Sequence, residues 1–273
     1  MVGKNEILGS LYESVDNGET LLVFGAGSGL SARAANMAGV HLISVYSTAI
    51  LRMKGLNSLL SALPVSNSNE LLLQEGAVIV QAAGNTPCIA GICAQDPFHS
   101  LDEMFDAAKK MGFIGVSNEP FAGMYGDWFS LLLEEYGMGF SAELEMLKQA
   151  NEKGFLTLGW AFNEEQAVRL TEESIDIIGV MVMDGPVSET KKETPKEHLE
   201  KAVNTVRRIC HAVLEVNPQA LMITHGDPFY DVQTATASLV GTGAVGYASG
   251  SSGERIPAIE GIAAAGRAFL EMG

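Results

Sequence analysis

The sequence predicts an α/β protein, a single-domain (β/α)8 TIM barrel over residues 1–273. Three observations predict it. Eight short β-rich segments alternate with helical patterns. The cores of those segments are near-continuous Val, Ile, Leu, Ala and Gly runs, the pattern of parallel strands buried on both faces. Eight such units in 273 residues match the usual size of that barrel, whereas a doubly wound open sheet is the competing arrangement. No shift in composition marks a linker between domains.

Each element follows in order. TLLVFGAGSG, from Thr20, ends in Gly25-Ala26-Gly27-Ser28-Gly29 and runs into the helical SARAANMAG. VHLISVYST, from Val40, ends in Tyr46-Ser47-Thr48. CIAGICAQDPF, from Cys88, ends in Cys93-Ala94-Gln95-Asp96-Pro97-Phe98, and its helix has Ser100 as N-cap and Gly112 as stop. GFIGVSNEP, from Gly112, ends in Asn118-Glu119-Pro120 ahead of an insertion rich in aromatics and Met, Tyr125 to Gly139. A helix from Ser141 to Gly154 precedes FLTLGWAF, from Phe155, and NEEQAVRLTEES follows it. IDIIGVMVMDGP, from Ile175, leads through a polar insertion, Pro186 to Lys196, into a long helix. ALMITHGDPF, from Ala220, ends in His225-Gly226-Asp227-Pro228. AVGYASGSSGER, from Ala244, ends in Ser249 to Arg255, and PAIEGIAAAGRAFLEM closes the barrel as its last helix.

Composition narrows the function. The formal net charge is −16, with no basic stripe to displace counterions, which argues against nucleic acid and anionic membrane as partners. No apolar run approaches the roughly 20 residues of a membrane span, and MVGKNEILGS lacks the basic-then-apolar order of a signal peptide. Cys88, Cys93 and Cys210 form no CxxC, which argues against structural zinc and a disulfide framework and fits a reducing, cytoplasmic compartment.

In a barrel of this kind the chemistry sits at the C-terminal strand ends. Gly25 to Gly29 resembles a dinucleotide fingerprint, but the next strand ends in Tyr46-Ser47-Thr48 without the acidic residue that motif needs. The turn is either a tight strand-to-helix connection or an anion cradle offering amides near Gly25 and Gly27. Asp96 and Glu119, on adjacent strand ends, are candidate Mg²⁺ ligands; Asp96 could instead cap the following helix. His225 follows an apolar run and suits general acid–base work, or a structural hydrogen bond to a neighbouring strand. Ser251, Ser252 and Arg255 form the clearest anion-site signal, since loops after the last two strands often hold phosphate. Cys93 reads as inert packing.

The ordered motifs resemble the phosphoenolpyruvate hydrolase-like TIM-barrel family, also described as a TIM-barrel signal-transduction family. The resemblance is carried by Gly25 to Ser31, by Tyr46 to Met53, and by Gly91-Ile92-Cys93-Ala94-Gln95-Asp96-Pro97-Phe98. It continues in His225-Gly226-Asp227-Pro228 and Ser251-Ser252-Gly253-Glu254-Arg255-Ile256-Pro257. The chain departs from the family pattern at Ser47 to Ile50, at Asp227 and at Glu119. The resemblance implies kinship with the phosphoenolpyruvate mutase and isocitrate lyase group, small α-keto or enol acids as ligands, Mg²⁺, and a homo-oligomer. On this reading Gly25, Gly27, Tyr46, Ser47, Asn118, Ser251 and Ser252, with Arg52 or Arg255, bind the anionic end of a small organic acid. Asp96, with Glu119, binds Mg²⁺; His225 moves a proton; Glu254 orients it or serves as second base. Hydrolysis of a phosphoenol and carbon–carbon lysis both suit this set. The alternative is a non-catalytic, ligand-sensing scaffold.

Overall fold

The computed structural model describes residues 3–183 and 195–272. Eight parallel strands close in sequence order into one barrel. They are β1 (Leu21–Gly25), β2 (Leu42–Val45), β3 (Cys88–Ile92), β4 (Gly115–Asn118), β5 (Leu156–Ala161), β6 (Ile177–Met183), β7 (Leu221–Asp227) and β8 (Gly246–Ser249). All eight β-rich segments of the sequence supply a strand, and the parallel β1–β8 pairing through Leu21↔Gly246 and Val23↔Ala248 rules out an open sheet.

Two apolar cores flank the strands. Inside the barrel, Leu21, Val23, Leu42, Ile89, Leu156, Leu158, Ile177, Leu221 and Ile223 form one cluster. α1 (Lys4–Asp16) adds Ile7 and Leu11 to that cluster and closes the N-terminal end of the barrel. Outside, the larger cluster lies between strands and helices; α4 (Ser68–Ala82) contributes Leu72 and Ile79, and α5 (Leu101–Met111) contributes Met104 and Phe105. Local sequence explains the helix ends. Ser100 and Glu103 form a reciprocal capping box at the start of α5, and Gly112 ends it at φ 96°, where a side chain would be strained.

Three local expectations change. α2 (Gly29–Ala38) begins two residues earlier than read, because Ser28 caps it through Ser31. α7 (Phe140–Glu152) has Gly139 at its N-cap, while the Ser141 hydroxyl bonds the Glu134 carboxylate of α6 (Gly126–Glu135). α11 (Arg255–Leu270), the helix expected after the eighth strand, forms but buries no residue at all. The polar insertion Pro186 to Lys196 lies outside the described residues except for its last two positions. α3 (Ser47–Met53), α8 (Glu164–Glu172), α9 (Lys196–Val216) and α10 (Val232–Leu239) lie among the remaining helices. No helix of the described residues is long and apolar enough to cross a membrane.

Candidate functional site

At the C-terminal end of the barrel the inward strand positions turn from apolar to polar. Val23 gives way to Gly25, Leu42 to Ser44 and Leu158 to Trp160; Ile223 gives way to His225. With Tyr46, Glu119, Ala248 and Ser249 these residues line a narrow cavity with room for about one water molecule. Glycines make the space. A Cβ on Gly91 would lie 2.6 Å from the Tyr46 Cβ and 3.1 Å from that of Glu119, and one on Gly179 would strike the Trp160 ring.

Glu119 is the cavity's most perturbed acid. Ser44 and Ser117 each donate a hydroxyl to its Oε2, at 3.2 and 3.0 Å. Burial pushes its pKa up to about 7, against those hydrogen bonds, the charge of Arg52 and the nearby Trp160 N–H, which favour the carboxylate. The Ser249 hydroxyl is buried without a hydrogen-bond partner, and the buried Trp160 N–H leans toward Glu119 without forming a hydrogen bond of ordinary geometry. An unpaired polar group in such a place costs on the order of 1–3 kcal/mol, so each is a standing opening for a ligand atom.

His225 stands opposite. Its Nδ1 lies 2.6 Å from the Ala248 carbonyl oxygen, which fixes the proton on Nδ1 and leaves Nε2 as an acceptor. Burial holds its pKa down at about 4, the Ala248 bond resisting and the Arg52 charge assisting the shift. The ring is therefore neutral at pH 7.

Arg52 is buried behind the cavity. Its Nη2 donates to the Gly25 carbonyl at 2.8 Å and its Nη1 to the Tyr46 hydroxyl at 3.1 Å. Its Nε pairs with Glu254 Oε2 at 2.5 Å, and the Glu254 side chain is fully buried. The other Glu254 oxygen accepts from the Gly27 amide and from the Ser31 hydroxyl, each at 2.6 Å. The glycine-rich turn does cradle an anion, but the anion is this protein's own Glu254. A Cβ on Gly27 would sit 1.9 Å from the Ala49 carbonyl oxygen, so only glycine lets the turn approach α3.

Several sequence expectations are thereby redrawn. Glu254 is a structural counter-ion of Arg52 and makes no bond to His225 among the described residues. The Gly27 amide is occupied. Asp96 does not cap α5, because Ser100 does. Its carboxylate instead accepts from Asn67, Asn69 and the Phe98 amide and contacts His99 Nδ1 at 2.7 Å. Burial would raise the Asp96 pKa, but those hydrogen bonds hold it below the usual carboxylate range. Asp96 and Glu119 share no partner, and the expected metal pair is not formed. Among the described residues no three His, Cys, Asp or Glu side chains converge on a metal position.

Asn118 is fully buried but outside the cavity lining, bonded to Glu143 and to the Trp160 backbone. Ser47 is buried at the start of α3 with its hydroxyl unpartnered. Ser251 and Ser252 are half-buried in the loop after β8, and Arg255 reaches the Ser251 hydroxyl at 3.4 Å. Cys93 is half-buried, and burial raises its thiol to about 11. Ser44, Ser117, Trp160 and Glu143 escaped the sequence reading, and Ser249 was noted only as the start of the loop after the eighth strand. The available signal was a hydroxyl or indole interrupting an apolar strand at an inward position near its C-terminal end.

Comparison with known proteins agrees with this architecture. The family described as phosphoenolpyruvate hydrolase-like matches residues 6–272. The ToMV susceptible protein tm-1(GCR26) of Solanum lycopersicum is 34% identical over 259 residues, covering 94% of this chain and 34% of that protein. The ToMV resistance protein Tm-1(GCR237) of the same plant matches at the same identity and coverage. The chain thus spans about a third of the length of these curated relatives. Among solved structures, 2,3-dimethylmalate lyase, a PEP mutase/isocitrate lyase superfamily member, superposes with a TM-score of 0.58 at 14% identity, covering 100% of this chain and 86% of that one. Oxaloacetate acetylhydrolase superposes with a TM-score of 0.57 at 15% identity, covering 93% and 84%. At these identities the superpositions establish a shared fold.

Proposed function

The chain belongs to the phosphoenolpyruvate hydrolase-like family, and from that premise we propose that it is an enzyme acting on a small carboxylic acid bearing a keto or enol oxygen. The observation that carries the reading is the narrow cavity at the strand ends, where the buried Ser249 hydroxyl and Trp160 N–H lack well-made hydrogen bonds beside an acid poised near neutrality; with room for about one water, it would have to widen to admit the acid. The Trp160 N–H and Ser249 O–H would hold the keto or enol oxygen, replacing the partners they lack. Tyr46, steadied by Arg52, would meet the carboxylate. Glu119, with a pKa of about 7, can give or take a proton at working pH, and neutral His225 offers Nε2 as an acceptor. Hydrolysis of a phosphoenol and cleavage of a carbon–carbon bond both use such a set. Mg²⁺ is given no step.

The test is turnover. Oxaloacetate, phosphoenolpyruvate, pyruvate and malonate are incubated separately with the protein and products are followed by NMR. One acid should be consumed, and Glu119→Gln should remove that turnover while the protein stays folded. Full activity in the variant would overturn the role of Glu119.

A second reading is favoured by one observation. The relatives at 34% identity are named for susceptibility and resistance to ToMV, not for a reaction. A ligand-sensing scaffold would bind one of these acids and turn over none.

We also propose a homo-oligomer in the cytoplasm. The three cysteines are all unpaired, as a reducing compartment would keep them. In α11, Ile259, Ile262 and Phe269 are 61%, 71% and 70% exposed. On the barrel wall, the outward residues Leu22 and Phe24 of β1 and Tyr247 of β8 are only part-buried, whereas β2 to β5 are buried throughout. A second copy offering its own α11 to that wall would cover both apolar surfaces at once.

A further inference from the structure

Glu143 lies in the first turn of α7, behind β4, and takes no part in the cavity lining. It is almost fully buried. Its carboxylate accepts from three donors. The Ala122 amide reaches Oε1 at 2.6 Å, the Gln95 side-chain amide reaches Oε1 at 3.3 Å, and Asn118 Nδ2 reaches Oε2 at 2.7 Å. These donors come from the segment after β3, the end of β4 and the turn that follows β4. One carboxylate therefore ties together two neighbouring edges of the barrel mouth.

Asn118 passes the constraint on. Its Oδ1 accepts the Trp160 backbone N–H at 2.8 Å, while Nδ2 also approaches the Trp160 carbonyl at 3.3 Å. The amide fits only one way round. Turned over, its NH₂ would face the Trp160 N–H, donor against donor. A carboxylate at position 143 has only acceptors to offer, so it admits only the orientation that Trp160 needs.

We propose that Glu143 is the positioning residue of the barrel mouth, setting the Asn118 amide and through it the Trp160 backbone and the adjoining Glu119. Glu143 touches no reacting atom; it acts through Asn118. The proposal shares its site with the function proposed above and rests on that reading only where acid binding is measured.

Donor and acceptor logic supplies a sharp test. Glutamine at 143 keeps one acceptor for Ala122 and Gln95, but turns a donor toward Asn118 Nδ2. Changing Asn118 to aspartate alone sets carboxylate against carboxylate. The double change, E143Q with N118D, restores the 143–118 bond: the introduced glutamine amide would donate to the introduced carboxylate, which still accepts from the Trp160 N–H but sets its other oxygen against the Trp160 carbonyl, so recovery is partial.

The chain has two tryptophans, Trp128 exposed and Trp160 buried, so a Trp128→Phe background makes emission report Trp160 alone. Emission and thermal midpoint are measured at pH 8, where a Glu143 with a pKa of about 7 is ionised. Each single variant should shift Trp160 emission to longer wavelength and lower the midpoint. The double variant should recover emission in part and lose less midpoint than the two single losses combined. A Trp160 emission that ignores E143Q, or losses that simply add, would overturn the proposal. If the single variants do not fold, Glu143→Ala decides: it removes the acceptors without turning a donor toward Asn118 and should still shift Trp160 emission, and an unmoved emission overturns the proposal. Thermal shift with malonate as probe then separates the two claims. Recovered emission with no malonate response leaves Glu143 as positioning residue and counts against the acid-binding reading.

Discussion

Replacing Glu119 by glutamine perturbs the cavity at its most strained ionisable group. Burial lifts this carboxyl from 4.5 to about 7. A raised acid pKa means that the folded state holds its proton more tightly than the unfolded chain between those values. Stability is thus present at low pH and drains away as pH rises from 4.5 through 7. A shift of this size corresponds to about 3 kcal/mol once pH is well above 7, and about 2–3 kcal/mol of it falls between pH 5 and pH 8. Glu119 is buried, so solvent screening removes little of this. Glutamine carries no titrating proton and can still accept from Ser44 and Ser117. Glu143, also raised to about 7, and His225, lowered to about 4, titrate in both proteins and largely cancel in the difference. Urea unfolding of both proteins from pH 5 to pH 8 measures it. The stability of Glu119→Gln relative to the parent should climb by about 2–3 kcal/mol across that range, or roughly 5–10 °C in Tm. A difference that stays flat with pH would refute the claim that Glu119 is buried, desolvated and near-neutral in pKa.

Further outcomes follow from other groups. Arg52→Met leaves the fully buried Glu254 charge without its partner and should cost about 3–5 kcal/mol in urea unfolding; a loss below about 1 kcal/mol would contradict the internal-anion account. His225→Gln should flatten stability on the acid side, because a histidine lowered from 6.5 to about 4 loses stability as pH falls through that window. An unchanged acid limb would show that His225 is solvated. Ile262→Glu on α11 should lower the sedimentation mass to that of one chain without unfolding it; an unaltered mass would place any interface elsewhere. Cys93, with a thiol raised to about 11, should react with iodoacetamide far more slowly than a free thiol.

The fold was readable because parallel barrel strands advertise themselves. Val, Ile and Leu are required on both faces, so CIAGI and IIGVMVM stand out before any contact is known. The site was readable only in part. His225, Tyr46 and Glu119 sit at strand ends, and that position alone brings them to one cavity. Arg52 was found through a motif, but its pairing with Glu254, 202 residues away, depends on how two loops fold across the mouth. The same crossing turned the Gly27 amide from a ligand site into a seat for Glu254. Asp96 was misread because an Asp-Pro after a strand looks alike whether it faces the cavity or, as here, Asn67 and Asn69. Trp160 and Ser249 gave only a weak signal, since an indole or hydroxyl in an apolar strand is ordinary until its missing partner is seen.

The central claim is that the cavity between Glu119, Trp160, His225 and Ser249 receives a small organic acid. Thermal shift with phosphoenolpyruvate, pyruvate, oxaloacetate and malonate, with and without Mg²⁺, tests it most directly when run in parallel on Trp160→Phe. At about 100 times its dissociation constant a ligand adds roughly 2.7 kcal/mol, a rise of several degrees. The account predicts such a rise with at least one acid, sharply reduced when the Trp160 N–H is removed. Silence across the panel, or a rise that the phenylalanine variant keeps in full, would contradict it.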